Sequence, residues 1–236
     1  MGQTPLTRPT LNFRIEPDRM AQSQAISLLR DSILTGELKP GMRLSEQEIA
    51  NAMGISRQPV REAFIRLAGE GLLEVWPQRG TFVSKISAEE VLDARFVREA
   101  VEADLVRLAT ERKDDALLAA LNDNLEQQNS ALTDAARFMR LDEIFHRTIA
   151  EAAGKGRAWD HLQKLKSQLD RVRFLATQDF PVQILITQHT RIVEAIATGN
   201  PDLAEAALRA HLCQMLEDLP RINVAYPDYF APRRDA

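Results

Sequence analysis

The sequence predicts a mainly α chain: an N-terminal winged helix-turn-helix with a small β-hairpin wing, then an all-α antiparallel six-helix bundle. Three observations predict it. Residues 42–83 read as helix, tight turn, helix, and then two apolar runs around Pro77-Gln78-Arg79-Gly80. From Ser87 to about residue 219 the apolar residues keep helical spacing and no strand pattern intervenes. The connections there are short, which makes consecutive helices antiparallel neighbours.

Residues 1–18 contain Pro5, Pro9 and Pro17 without sustained periodicity and read as a mobile arm. The helix-turn-helix domain spans 19–86. Its first helix covers 19–36, with Ile26, Leu29, Ile33 and Leu34 inward and Gly36 at its end. Ser45-Glu46-Gln47-Glu48 has the form of a capping box, and Ile49, Ala50 and Met53 give that short helix an apolar side. Gly54 can take the positive φ that closes the turn. Ser56 suits an N-cap, and Pro59 falls in the first turn of the next helix, where a missing N–H costs nothing. Val60, Phe64 and Leu67 form that helix's inward stripe, with Ala63 and Ala68 as small neighbours.

Lys85-Ile86-Ser87 is the junction, and Ser87-Ala88-Glu89-Glu90 opens the bundle domain, 87–219, with a second capping box. Helices are expected at about 88–112, 114–131, 133–153, 157–177, 181–199 and from Asn200-Pro201-Asp202 to just before Pro220. The third carries Ala136, Met139, Ile144 and Ile149 inward. The fourth carries Trp159, Leu162, Leu165, Leu169 and Val172. Residues 220–236 hold Pro227, Pro232 and a charged end, and read as a partly disordered tail.

The net charge is −4, which excludes a histone-like nonspecific binder. Residues 1–85 carry 11 Lys+Arg against 9 Asp+Glu, and residues 86–236 carry 19 against 25, net charges of +2 and −6. The basic balance lies where phosphate contact requires it. One cysteine, Cys213, excludes an internal disulfide and fits a reducing cytoplasm. No stretch approaches the roughly 18 apolar residues of a membrane span, and the first residues lack a signal peptide's apolar core.

Arg57 and Arg61 lie four apart on one helix face, near its N-terminal end, where a forked guanidinium can pair with guanine O6 and N7 in the major groove. Leu38-Lys39-Pro40-Gly41, Leu44-Ser45-Glu46, Gly54-Ile55-Ser56-Arg57, Pro59-Val60-Arg61-Glu62-Ala63, Glu70-Gly71-Leu72 and Arg79-Gly80 keep the order and spacing of a known domain. The stretch resembles the DNA-binding domain of GntR-family transcriptional regulators. The resemblance implies a double-stranded operator, a short pseudo-palindrome bound by a homodimer, with Ser45, Ser56, Arg57, Gln58, Arg61, Arg79 and Gly80 at the DNA. Gln58 departs from the threonine frequent in the family. Glutamine can pair with adenine N6 and N7, so operator preference is expected to differ.

Asp142 and His146 are four apart on the third bundle helix, while His189 and His211 sit mid-helix on the fifth and sixth. Three helices can thus aim one carboxylate and three imidazoles at one point, a set suited to one divalent transition metal per chain: zinc first, with nickel, manganese or iron as alternatives. The spacing alone leaves ordinary core or surface histidines open. Asp142-x-x-x-His146 after Phe145, His189 with Ile192 and Ala195-Ile196, and Ala207-x-x-Ala210-His211-Leu212 resemble the FCD ligand-binding domain of the FadR-type branch, in its six-helix, VanR-like form. Metal-binding members use this Asp, His, His, His set. Gly154-Lys155-Gly156-Arg157 lacks the asparagine many relatives carry there, and His161 lies outside the pattern.

Open positions on the ion suit a small carboxylate effector, an organic or sugar acid, with a bundle cation as second anchor. Arg98, ahead of Glu102 in a motif similar to one on the first helix of FCD domains, is the leading candidate, followed by Arg171 and Arg173. The function expected is a metabolite-responsive regulator, a repressor in the first instance. A purely structural metal, or a metalloenzyme with an appended DNA-binding domain, is the alternative. No His-Glu-x-x-His helix or Gly-rich phosphate loop supports an enzyme.

Overall fold

The computed structural model describes residue 15 and residues 20–232, so the arm expected over 1–18 lies outside the described residues apart from Ile15. The chain divides into two compact units. One ends at Ile86 and takes back the chain from Ala231; the other runs Ser87–Phe230.

In the first unit, α1 (Ala21–Leu34), β1 (Arg43–Leu44), α2 (Glu46–Met53), α3 (Arg57–Gly69), β2 (Leu73–Trp76) and β3 (Gly80–Val83) follow in order. The Ser45 hydroxyl accepts from Glu48 N and starts α2, and Gly54 closes it in the left-handed region at φ 67°. Ser56 occupies the N-cap position of α3 in extended backbone, but its side chain makes no capping bond. Leu29, Leu38, Val60, Leu67 and Leu72 are fully buried and tie α1 and α3 to the hairpin. The wing is broader than the two strands expected. β1 pairs antiparallel with β3, giving the order β1-β3-β2. Gly41 N donates to Val83 O and Val83 N to Met42 O, so the chain leaving Pro40-Gly41 lies along an edge that a two-stranded hairpin leaves unpaired.

The second unit contains α4 (Ala88–Glu111), α5 (Asp115–Asn129), α6 (Ala135–Ala152), α7 (Gly156–Leu165), α8 (Ser167–Asp179), α9 (Gln183–Thr198) and α10 (Pro201–Ala225). Seven helices replace the six expected, because the fourth expected helix breaks at Lys166 (φ −93°, ψ 7°). Its ammonium is buried and meets Glu143 Oε2 at 2.9 Å and Asp170 Oδ2 at 2.7 Å. Apolar spacing continues across the break, so the pattern hides it. Leu165 and Ile144, assigned inward, are exposed. The buried face of α6 is Phe138, Leu141, Phe145 and Ile149 together with Asp142 and His146, so polar residues occupy core positions and turn the true stripe away from the apolar one. α10 continues through Pro220 to Ala225, because burial of Leu219 and Ile222 outweighs the one backbone hydrogen bond a proline removes. Beyond it, a 3-10 turn at Pro227–Tyr229 and buried Phe230 give order to part of the tail expected to be partly disordered, and residues 233–236 lie outside the described residues.

A Cβ on Gly54 meets nothing within 4 Å, so only the backbone opposes a side chain there. Gly54→Ala is expected to cost the helix-turn-helix about 1–2 kcal/mol, and Gly54→Asn less, in urea unfolding followed by circular dichroism. Equal stability of all three proteins would show that the left-handed turn is not what holds α2 to α3.

Candidate metal centre and nucleic-acid interface

α3 buries Val60, Ala63, Phe64 and Leu67 and leaves Arg57, Gln58 and Arg61 exposed on its other side. Arg57 Nη2 rests on Glu46 Oε2 at 3.2 Å, and Gln58 Nε2 donates to Glu62 Oε1 at 2.8 Å. Both partners are exposed or half-buried, so these contacts are exchangeable. At the wing turn, Gln78 (φ 60°) and Gly80 (φ 112°) take left-handed backbone, and the Arg79 guanidinium stacks 4.8 Å above the Trp76 ring.

In the bundle, α6, α9 and α10 bring the four expected ligands together. One ligand atom from each of Asp142, His146, His189 and His211 lies within 4.8 Å of the others, and all four residues are buried. His189 Nε2 stands 3.3 Å from His211 Nε2 and 3.5 Å from Asp142 Oδ1, and His146 Nε2 stands 3.9 Å from the same oxygen. Asp142 Oδ1 and His146 Nε2 are buried without a hydrogen-bond partner. Unpartnered buried polar atoms are costly and rare, and these face other lone-pair groups. A divalent cation is the group this donor set fits.

Each imidazole is held from behind. His146 Nδ1 meets Glu102 Oε2 at 2.7 Å, His189 Nδ1 meets Gln128 Oε1 at 2.8 Å, and His211 Nδ1 meets Gln188 Oε1 at 2.9 Å. The second of these is fixed by its own chain. Asn124 Nδ2 donates to the Leu141 carbonyl, so Asn124 Oδ1 accepts from Gln128 Nε2, which leaves Gln128 Oε1 to accept from His189 Nδ1–H. That tautomer turns the Nε2 lone pair toward the shared point, as in metal-ligating histidines generally.

Residues 21–83 match the bacterial regulatory proteins of the gntR family, and residues 93–214 match the FCD domain. The chain belongs to the GntR family, with an FCD domain following its helix-turn-helix. It is 40% identical over 204 residues, 86% of each chain, to an uncharacterized HTH-type transcriptional regulator in an unstable DNA locus of Streptomyces ambofaciens. It is 34% identical over 225 residues to the HTH-type transcriptional repressor RspR of Escherichia coli, covering 94% of this chain and 99% of that one. The Escherichia coli McbR/YncC structure shares the fold at TM-score 0.75 and 21% identity, over 88% of this chain and 99% of that one. The chain is a DNA-binding transcriptional regulator of this family and not an enzyme.

In the FCD domain, burial opposes charge on Asp142, yet the Arg173 guanidinium, with Arg98 behind it, holds its carboxyl well below the usual range. Burial pushes His189 down to about 3 against the pull of Asp142. Burial, reinforced by His189 and His146, also pushes His211 well below its ordinary value. An ionised Asp142 beside the neutral imidazoles of His189 and His211 is the protonation state that metal ligation needs.

The three candidate arginines divide. Arg173 Nη2 donates to Asp142 Oδ2, so it serves the ligand directly. Arg98 Nε donates to Glu102 Oε1 at 2.5 Å, while its buried Nη2 has no partner. Both line a cavity of about 40 Å³ that His211 also borders. Arg171 is buried and is not among the residues lining that cavity; its Nη1 donates to Gln168 Oε1 at 3.2 Å, and burial lowers it to about 10. His161 is exposed. Sequence reading missed Gln128, Gln188 and the positioning roles of Glu102 and Arg173. The one signal available was Glu102, four residues after Arg98 and so on the same helix face.

On this geometry Gln128→Leu removes the acceptor behind His189 while nearly keeping the volume. Zinc affinity is expected to fall roughly 10- to 100-fold, measured by competition with a chromophoric chelator. Wild-type affinity would show that Gln128 does not position His189.

Proposed function

We propose that this regulator is a cytoplasmic, homodimeric repressor whose hold on its operator is loosened by a small organic or sugar acid bound at a metal centre in the FCD domain. The observation that carries this reading is the pairing of four converging ligands with a cavity lined by Arg98, whose buried Nη2 has no partner. Asp142, His146, His189 and His211 would hold the ion, and three nitrogens with one oxygen suit zinc before nickel, manganese or iron. Bound there, the metal supplies a Lewis-acidic anchor for a carboxylate oxygen. Arg98 contributes a second, charge-assisted donor to the same carboxylate. Arg173 keeps Asp142 ionised and in place.

At the DNA, Arg57 and Arg61 are assigned to base edges and phosphates of the major groove, and Gln58 to an adenine. Arg79 and Gly80 form the wing turn that reaches the adjacent backbone, while the helix starts at Ser45 and Ser56 offer N–H groups and hydroxyls to phosphate. A homodimer places two α3 helices on a pseudo-palindrome. Effector and operator affinities are then coupled reciprocally.

With an operator obtained by in vitro selection, Arg61→Ala is expected to cost about 1–3 kcal/mol of specific binding in fluorescence anisotropy and to leave random DNA nearly unaffected. Equal losses on both DNAs would make Arg61 a phosphate contact.

Arg98→Ala tests the effector anchor. With zinc saturating and occupancy checked by elemental analysis, the acid concentration that releases operator should rise roughly ten- to a hundredfold, since hydrogen bonds to charged groups contribute about 1.5–3 kcal/mol. Operator affinity without acid should persist. An unchanged release curve would remove Arg98 from the site, and zinc-dependent stability with no response to any acid would make the metal structural only.

A further inference from the structure

The cavity beside the metal centre has a second end. Thr177, Gln214 and Asp218 line it, and the same three residues line a neighbouring cavity of about 30 Å³. Asp218 is 8% exposed on α10. Its Oδ1 accepts from Gln214 Nε2 at 3.1 Å, and Gln214 Oε1 accepts from Gln188 Nε2 at 3.2 Å. Gln188 Oε1 in turn faces His211 Nδ1 at 2.9 Å. The Asp218 carboxylate fixes the direction of this relay, because it can only accept. Gln214 must therefore donate to it, and Gln188 is left with its oxygen toward the imidazole.

One side of the cavity is cationic, with Arg98 and Arg173, and Asp218 adds a carboxylate to the same lining. Gln214 supplies one donor, to Oδ1; a plain acid anchored on the cationic side would bring none to the other oxygen and would close it away from water. Leaving one oxygen of a charged acceptor buried without a donor is costly, so the arrangement selects against such ligands. A ligand hydroxyl supplies the missing donor, and the Thr177 hydroxyl, which donates to the Phe174 carbonyl, can accept from a polyol.

Resting on the carboxylate–metal reading above, we propose that Asp218 is the specificity-determining residue of the effector site and restricts it to hydroxy acids, whose hydroxyl donates to the Asp218 carboxylate. A site built to hydrogen-bond a ligand hydroxyl rejects the analogue lacking it far more strongly than an apolar pocket rejects a missing methylene.

The test is isothermal titration of the full-length, zinc-loaded protein with three matched pairs: lactate against propionate, malate against succinate, and gluconate against hexanoate. At least one hydroxylated member should bind roughly tenfold or more tightly than its partner. In Asp218→Asn, which keeps the size of the side chain and whose zinc content is checked by elemental analysis because Asp218 also orients Gln188 behind His211, the preference within each pair should collapse. Asp218→Ala should do the same if it folds, as checked by circular dichroism. Equal affinities within every pair, or a preference that survives Asp218→Asn, would overturn the proposal and leave the metal–Arg98 anchor standing. If none of the six acids binds the zinc-loaded protein, the anchor reading fails and this proposal fails with it.

Discussion

Asp142 is completely buried, with the His146 and His189 imidazoles facing one of its oxygens and the Arg173 guanidinium on the other. An isolated carboxylate removed from water costs several kcal/mol, so its charge has to be matched on the spot. Arg173 matches part of it and is itself steadied by Asp170 at 3.3 Å. Asp170 then holds the Lys166 ammonium, which also meets Glu143, whose other oxygen accepts the Trp159 indole N–H at 2.6 Å. Charges alternate along this line from the metal-facing oxygen to the junction of α7 and α8. The helix break at Lys166 is thus part of the same electrostatic arrangement, because an unbroken helix would have to place that ammonium elsewhere.

That dependence explains what could be read from the sequence. The helix-turn-helix was legible because each of its signals is local: a capping serine, a left-handed glycine at residue 54, and Val60, Phe64 and Leu67 at helical spacing. The ligand set was legible because Asp142 and His146 share a helix face and a family resemblance supplied the distant partners. The phase of α6 was not, because Asp142 and His146 themselves occupy core positions that an apolar count assigns to Ile144. The break after Leu165 was hidden for a related reason: a buried lysine paired with two carboxylates leaves no mark in hydrophobic periodicity. Strand β1 is only two residues long and exists through pairing with a strand nearly forty residues away.

Three amide or carboxylate acceptors behind three imidazoles give the centre a second layer that sequence spacing does not announce. Gln128 reaches His189 from α5 across 61 positions, and Gln188 reaches His211 from the neighbouring helix across 23. Each acceptor is anchored further out, at the Leu141 carbonyl in one case and at Asp218 in the other. The imidazoles are therefore oriented before any ion arrives, which lowers the ordering cost of binding it. The same anchors extend to residues lining the cavity, so ligand-sized events there and at the ligands share side chains. In such a layout an acid and a metal would influence each other's affinity by equal factors.

The central claim is that these four side chains jointly hold one transition metal. X-ray absorption at the zinc edge of the purified, zinc-loaded protein measures it most directly. The account predicts a first shell of nitrogen and oxygen only, with outer-shell scattering from three imidazoles. A sulfur scatterer, which would bring in Cys213, or a shell with fewer than three imidazoles would contradict it.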